Sequence, residues 1–218
     1  MRTAILPNNM IWATTTILFL FCMVLSPHAT SALAATGGSN NSNKFNFGIA
    51  SSKSSLLFGV EAPGVPMKPG GSHNDPQSVP TSIVDEWIDH LQKNNVKRTL
   101  CLLKPEELEC YSDPGYVELL KSQGVLPTVV NVFEPDASAK VLEAYRQAGE
   151  ANEKIAVHCS GGEGRTGVVI GAILVSEGLV DSSEEAETDI LATADKEGVN
   201  RKPAAAKIDK LLKDGTLA

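Results

Sequence analysis

Apolar and polar positions along this chain follow two rhythms in turn. In "TSIVDEWIDHLQKN" (Thr81–Asn94), Ile83, Trp87 and Leu91 recur every four residues with Ile88 beside them, which predicts an amphipathic helix capped by Thr81 or Ser82. "VKRTLCLL" (Val96–Leu103) reads as a strand, "PGYVELLKSQG" (Pro114–Gly124) as a short helix stopped by Gly124, and "VLPTVVNVF" (Val125–Phe133) as a second strand. "DASAKVLEAYRQAGEAN" (Asp136–Asn152) puts Val141, Leu142 and Tyr145 on one helical face, and "KIAVH" (Lys154–His158) is a short buried strand. "TGVVIGAILVSEG" (Thr166–Gly178) is apolar nearly all round, so it predicts a helix enclosed by the domain. Helices near Ser183–Lys196 and Pro203–Leu212 close the chain. A short strand is also expected at Leu56–Val60, at the start of a loop, Ser55–Pro80, that holds five of the twelve prolines. Strands separated by helices argue for an α/β fold: a mostly parallel central sheet flanked by helices on both faces. No internal repeat is present.

The first 55 residues follow neither rhythm. Arg2 and the apolar stretch Ile11–Leu25 read as a targeting segment, with "SALA" (Ser31–Ala34) offering small residues for cleavage after Ala34. The apolar stretch is short for a spanning helix, which needs about 20 residues, so retention as a membrane anchor is the lesser reading. Residues 35–55, rich in Ser, Asn and Gly, read as a disordered tail or as the second half of a bipartite organelle address, with a glycosylation sequon at Asn40-Asn41-Ser42. The expected organisation is therefore a targeting segment over 1–34, a tail or transit region over 35–55 and one folded domain over 56–218, of ordinary size for a single core. The route is secretory, to the exterior or an organelle lumen, with a plastid reached through the bipartite address as one destination.

Charge sharpens this picture. All 26 acidic residues follow residue 60, whereas Arg2, Lys44 and Lys53 account for the basic residues before it. So acidic a domain is a poor binder of nucleic acid or anionic membrane, which need basic patches. Beyond Cys22 in the targeting segment, Cys101, Cys110 and Cys159 form an odd set, which argues against a disulfide framework. Four scattered histidines and no paired cysteine spacing leave no metal site, and no cofactor is expected.

The chemistry concentrates in "VHCSGGEGRTG" (Val157–Gly167), between the buried strand and the enclosed helix. In α/β folds that junction is where ligands bind. Glycines there let backbone N–H groups turn inward as an anion nest, and the helix behind adds its positive end. Arg165 supplies a fork of donors matched to phosphate oxygens, and a thiol in such a field deprotonates more readily and becomes a nucleophile. A nucleotide-binding loop is excluded, because the Lys-Ser/Thr pair that it requires is missing.

These residues resemble the signature of the protein tyrosine phosphatase superfamily, His-Cys, five residues, Arg, then Ser or Thr, here His158, Cys159, "SGGEG", Arg165 and Thr166. The loop's place in the last third of the chain fits the compact dual-specificity-like branch, and the likeness covers roughly 56–215. The resemblance implies that Cys159 attacks phosphorus to form a phosphocysteine. Arg165 and the amides of Ser160, Gly161, Gly162, Glu163, Gly164 and Arg165 would hold the equatorial oxygens. Thr166 would ease the departure of sulfur, and His158 would support the loop rather than act as a base. Asp136, in "FEPDAS" (Phe133–Ser138), would be the general acid, with a helix N-cap as its alternative role. Glu134 is the runner-up for the acid, and Asp113 reads as a turn residue.

The implied activity is hydrolysis of a phosphomonoester, in a phosphorylated protein or a small metabolite, by a monomer. Glu163 departs from the basic residue found in phosphoinositide-directed relatives and opposes highly charged substrates, unless it projects into solvent. Cys101 lies where some relatives hold a second, redox-active thiol, although burial as a small hydrophobe is the simpler reading. Arg201 falls where relatives carry an arginine late in the domain, with a solvated helix-end charge as the simpler account. Two rivals remain: a silent phosphatase-like module that binds phosphate without turnover, and a rhodanese- or arsenate-reductase-like enzyme with a similar loop.

Overall fold

The computed structural model describes residues 43–64, 79–111 and 115–218. The targeting segment 1–34, the sequon Asn40-Asn41-Ser42 and Asp113 lie outside the described residues, and the described ones belong to one compact unit.

Five strands form the centre: β1 (Gly48–Ile49), β2 (Leu57–Glu61), β3 (Val96–Cys101), β4 (Leu126–Val129) and β5 (Lys154–Cys159), in the order β1-β2-β5-β3-β4. Only β1 is antiparallel; β2, β5, β3 and β4 run parallel. Val157 pairs with both Gly59 and Leu100, so β5 lies in the middle of the sheet and the residue that ends it, Cys159, emerges between two neighbours. Its continuous apolar run is what a strand covered on both faces requires.

Helices α1 (Thr81–Lys93) and α3 (Tyr116–Ser122) cover one face, where Trp87, Ile88, Leu91, Tyr116 and Leu120 pack on Phe58, Val60, Cys101 and Ala156. Helices α4 (Ala137–Glu150), α5 (Gly164–Ser176), α6 (Ser183–Glu197) and α7 (Ala205–Asp214) build the other core, on Leu57, Leu100, Leu102, Ile155 and Val157. Helix α5 is enclosed as its all-round apolar pattern predicts, with Val168 to Leu174 buried throughout. The remaining short helix, α2 (Pro105–Leu108), was not legible as one; a four-residue turn opening on proline carries too little periodicity.

Three expectations change. Helix α1 starts at Thr81 with Pro80 in the N-cap position and no side-chain cap hydrogen bond, so neither Thr81 nor Ser82 caps it. The strand expected over Val125–Phe133 stops at Val129, because the Asn131 Oδ1 accepts the Phe133 N–H and turns the chain. The largest correction concerns residues 43–55, expected as a disordered tail or transit region. They are part of the fold: Lys44–Asn46 forms a 3-10 turn, Phe47 stacks on Phe58 at 5.3 Å, and β1 pairs with β2 through Gly48 and Gly59. The Asp189 carboxylate accepts from the Ser51 and Ser52 hydroxyls. Asp189 lies 138 residues from Ser51 and β1 is only two residues long, so no local pattern announces this segment.

Candidate active site

The loop from Cys159 to Arg165 leaves β5 and enters α5 at the carboxyl end of the parallel strands. Its backbone is held from outside, one carbonyl at a time. The Ala62 N–H donates to both the Cys159 and Ser160 carbonyls, at 3.1 and 2.9 Å. The Gly161 carbonyl accepts from the Asn46 side chain at 3.1 Å, and the Gly162 carbonyl from Arg201 at 3.0 Å. The Glu163 carbonyl accepts from the N–H groups of Gly167 and Lys202. Each trans peptide unit points its N–H opposite to its C=O. Five carbonyls drawn outward therefore turn the amides of residues 160–164 toward the loop's interior, where an anion would lie. Among the described residues, the N–H groups of Ser160, Gly161, Gly162 and Glu163 donate to no protein acceptor. The turn needs Gly162 at φ +68, and a Cβ there would stand 2.5 Å from the Val60 carbonyl oxygen.

The reactive side chains converge on this nest. The Thr166 hydroxyl, buried on the first turns of α5, accepts the Cys159 N–H at 3.0 Å and donates to Cys159 Sγ at 3.3 Å. Arg165 reaches back to the Leu102 carbonyl at 2.8 Å and the Ser160 Oγ at 3.1 Å. Its two terminal nitrogens also donate to the two Glu107 carboxylate oxygens, at 2.6 and 2.7 Å, a fork that fixes the plane of the guanidinium. Burial works against the charge on Arg165, but Glu107 more than offsets it, and the guanidinium is held above its usual range. Burial likewise raises the Glu107 carboxyl, yet Arg165 and the Lys104 N–H bring it net below the usual carboxylate range. Beneath the loop, His158 is fully buried, shares a 2.6 Å hydrogen bond with the Tyr116 hydroxyl and meets Trp87 edge-on. Burial depresses it to about 3, so the ring is neutral near pH 7 and a strut rather than a base.

A phosphatase family model, described as "Swiss Army Knife protein, DSP-PTPase phosphatase domain" (PTP-SAK), matches residues 79–210. The chain belongs to this family. It thus carries a cysteine-dependent phosphatase domain of the protein tyrosine phosphatase superfamily. Kinase-associated phosphatase, with its catalytic-site cysteine replaced by serine, is similar in structure, with a TM-score of 0.52 at 18% identity, over 73% of this chain and 84% of its own. PTPMT1 gives 0.52 at 15% identity, over 74% and 92%, and its complex with PI(5)P gives 0.51 at 14%, over 73% and 91%. At such identities the likeness is one of fold. No curated protein matches the chain in sequence.

In this PTP-SAK domain the residues expected from the sequence fall into three groups. Cys159, Ser160, Gly161, Gly162, Glu163, Gly164, Arg165, Thr166 and His158 form the loop and its floor. Asp136 stands apart: it is exposed, in a left-handed conformation at the start of α4, on the connection that leaves the same end of the sheet. Its carboxylate caps no helix N–H. Glu134, exposed nearby, accepts from the Asn131 side chain. Cys101 pairs with His158 across β3 and β5, and so faces the side of the sheet opposite Cys159. There it is a buried small hydrophobe whose thiol burial pushes up to about 12, as the simpler reading expected.

Three residues read differently in three dimensions. Arg201 is no solvated helix-end charge: it is 5% exposed and donates to the carbonyls of Gly162, Asn200 and Asn46. Its guanidinium lies over Gly59, where a Cβ would come within 2.5 Å, and burial lowers it to about 10. The Glu163 side chain does not project freely into solvent; it pairs with Lys202. Glu107 was missed, because its partner is 58 residues away; the one available hint was an acidic pair opening a turn just after a strand.

Proposed function

We propose that this chain hydrolyses phosphomonoesters through a covalent cysteine intermediate. The observation that carries the reading is the outward tethering of five consecutive loop carbonyls around Cys159, with Thr166 at its sulfur and Arg165 fixed beside it. The Cys159 thiolate attacks phosphorus, and an S–P bond forms as the P–O bond to the leaving group breaks. Asp136 gives its proton to the departing oxygen. Water then attacks the phosphocysteine, surrendering a proton to Asp136. The S–P bond breaks with its electrons returning to sulfur, where the Thr166 hydroxyl stabilises the charge, and inorganic phosphate leaves. Loop amides and Arg165 stabilise the charge on the three equatorial oxygens throughout. For Asp136 the reading rests on its place at the same sheet end and its free carboxylate.

The rim argues for a substrate with one phosphate. Glu163 and Lys202 neutralise one another, and the Lys104 ammonium lies 4.6 Å from the centre of the Phe133 ring. The Glu163 carboxylate thus offsets the Lys202 charge that a second phosphate would need. A phosphoprotein or a small phosphomonoester fits this better than a polyphosphorylated inositol, although PTPMT1 has been solved with PI(5)P. The secretory-route address remains part of the proposal, and tagging the full chain and locating it in cells tests it.

Turnover of an aryl phosphate by the full chain decides the chemistry. Loss of turnover in Cys159→Ser, with slower bond cleavage in Asp136→Asn, is expected. Undiminished activity in the serine variant would overturn the enzyme, and phosphate binding without any turnover would select the silent module.

A further inference from the structure

The folded part of the N-terminal region does more than close the sheet edge. We propose that Asn46, acting with Arg201, is a positioning residue for the phosphate loop, a clamp that keeps the amides of Gly162 and Glu163 aimed at the bound oxyanion. The proposal rests on the phosphatase reading, and Asn46 lies outside the residues that match the family model.

Asn46 uses its polar groups on one task. Its Nδ2 donates to the Gly161 carbonyl at 3.1 Å and to the Asn200 carbonyl at 3.0 Å. Its Oδ1 accepts the Asn200 N–H at 2.7 Å, and its own carbonyl accepts from Arg201 at 2.8 Å. Arg201 in turn donates to the Gly162 carbonyl. The clamp therefore holds two consecutive loop carbonyls, and peptide planarity carries that hold to the amides on their far side. Neither carbonyl has another protein donor among the described residues. Left to themselves, glycine peptides rotate at little cost, so a "GG" pair needs an external hold to keep its amides in one orientation. The backbone at Asn46 is left-handed, φ +49, a conformation that asparagine tolerates better than most residues. The turn itself is anchored by the Asn43 side chain, which donates to the Glu197 carbonyl, and by Phe47 stacked on Phe58.

The test uses the full chain and two variants. Asn46→Gly removes the side chain without straining a positive φ; Asn46→Asp keeps the acceptor for Asn200 and removes the donor to Gly161, and is assayed at high salt to screen its added charge. Three quantities are read beside melting temperature: tungstate affinity by calorimetry, kcat/KM on an aryl phosphate, and the pH midpoint of Cys159 alkylation by iodoacetate. Misaimed amides predict a loss of about 10- to 100-fold in tungstate affinity and kcat/KM, an alkylation midpoint moved to higher pH, and nearly unchanged melting. Parent-like tungstate affinity and midpoint in both variants would overturn the clamp. So would a lowered melting temperature that accounts for all lost activity through the folded fraction. A parent that binds tungstate but never turns over removes the enzyme reading and leaves the clamp to stand or fall on the two binding readouts. A parent that binds no tungstate removes both.

Discussion

At the scale of single residues, the site works by constraint. Arg165 is held in one plane by the Glu107 fork on its terminal nitrogens together with the Leu102 carbonyl and the Ser160 Oγ. Replacing Glu107 with Ala removes the charged fork and leaves the guanidinium held only by the Leu102 carbonyl and the Ser160 Oγ, and kcat/KM should fall by about 100-fold, the order expected when a reacting geometry loosens. Steady-state kinetics on an aryl phosphate checks this, and Glu107→Gln, which keeps the shape and loses the charge, should fall between parent and Ala. Gly162 is constrained from the other side. Gly162→Ala meets a left-handed penalty of roughly 1–2 kcal/mol and a Cβ at 2.5 Å from the Val60 oxygen. Chemical denaturation should show at least that loss, together with tungstate binding too weak to measure. Of these constraints the sequence displayed the glycine and the arginine but neither partner. Glu107 is separated from Arg165 by 58 residues and Val60 belongs to another strand, and contacts across such distances leave no mark on spacing.

At the scale of elements, strand parity settles what sequence position alone left open. Cys101 and Cys159 end neighbouring strands, which makes a protective disulfide conceivable on paper. Because Cys101 is in register with His158, its side chain takes the face of Trp87 and Tyr116, while Cys159 takes the face of α5. Side chains that point apart cannot be bridged without turning a strand over. Peptide mapping of peroxide-treated protein should therefore find no Cys101–Cys159 link; finding one would show that β3 rearranges. The long helices and the central strands were legible because each carries its own periodicity: four-residue spacing in α1 and α4, an unbroken apolar run in β5 and α5. The two-residue β1, the four-residue α2 and the 3-10 turn are shorter than any such period. Their existence depends on partners supplied by the rest of the fold.

At the scale of the whole molecule, a buried neutral histidine links folding to pH. His158 titrates near pH 6.5 in an unfolded chain and at about 3 in place, so above pH 6.5 both states hold it neutral and it contributes no pH dependence. Below that, the unfolded state gains a proton that the folded state refuses, and stability falls by about 1.4 kcal/mol per pH unit as pH drops toward 3. Urea titrations of the parent and of His158→Gln between pH 7.5 and 4.5 should diverge in slope, with the variant flatter; parallel slopes would mean that the ring is charged in the fold. The sequence by itself determined the alternation of strands and helices, the enclosed helix α5, the phosphatase loop and the identity of its thiol and guanidinium, because each of these is written in a run of neighbouring residues. Only the tertiary structure decided that Arg201 is buried, that Glu163 pairs with Lys202, that Glu107 steadies Arg165, and that the segment from Asn43 belongs to the domain. All four depend on groups brought together from distant parts of the chain, where the deciding quantity is a carbonyl or a charge that must find a partner once water is excluded.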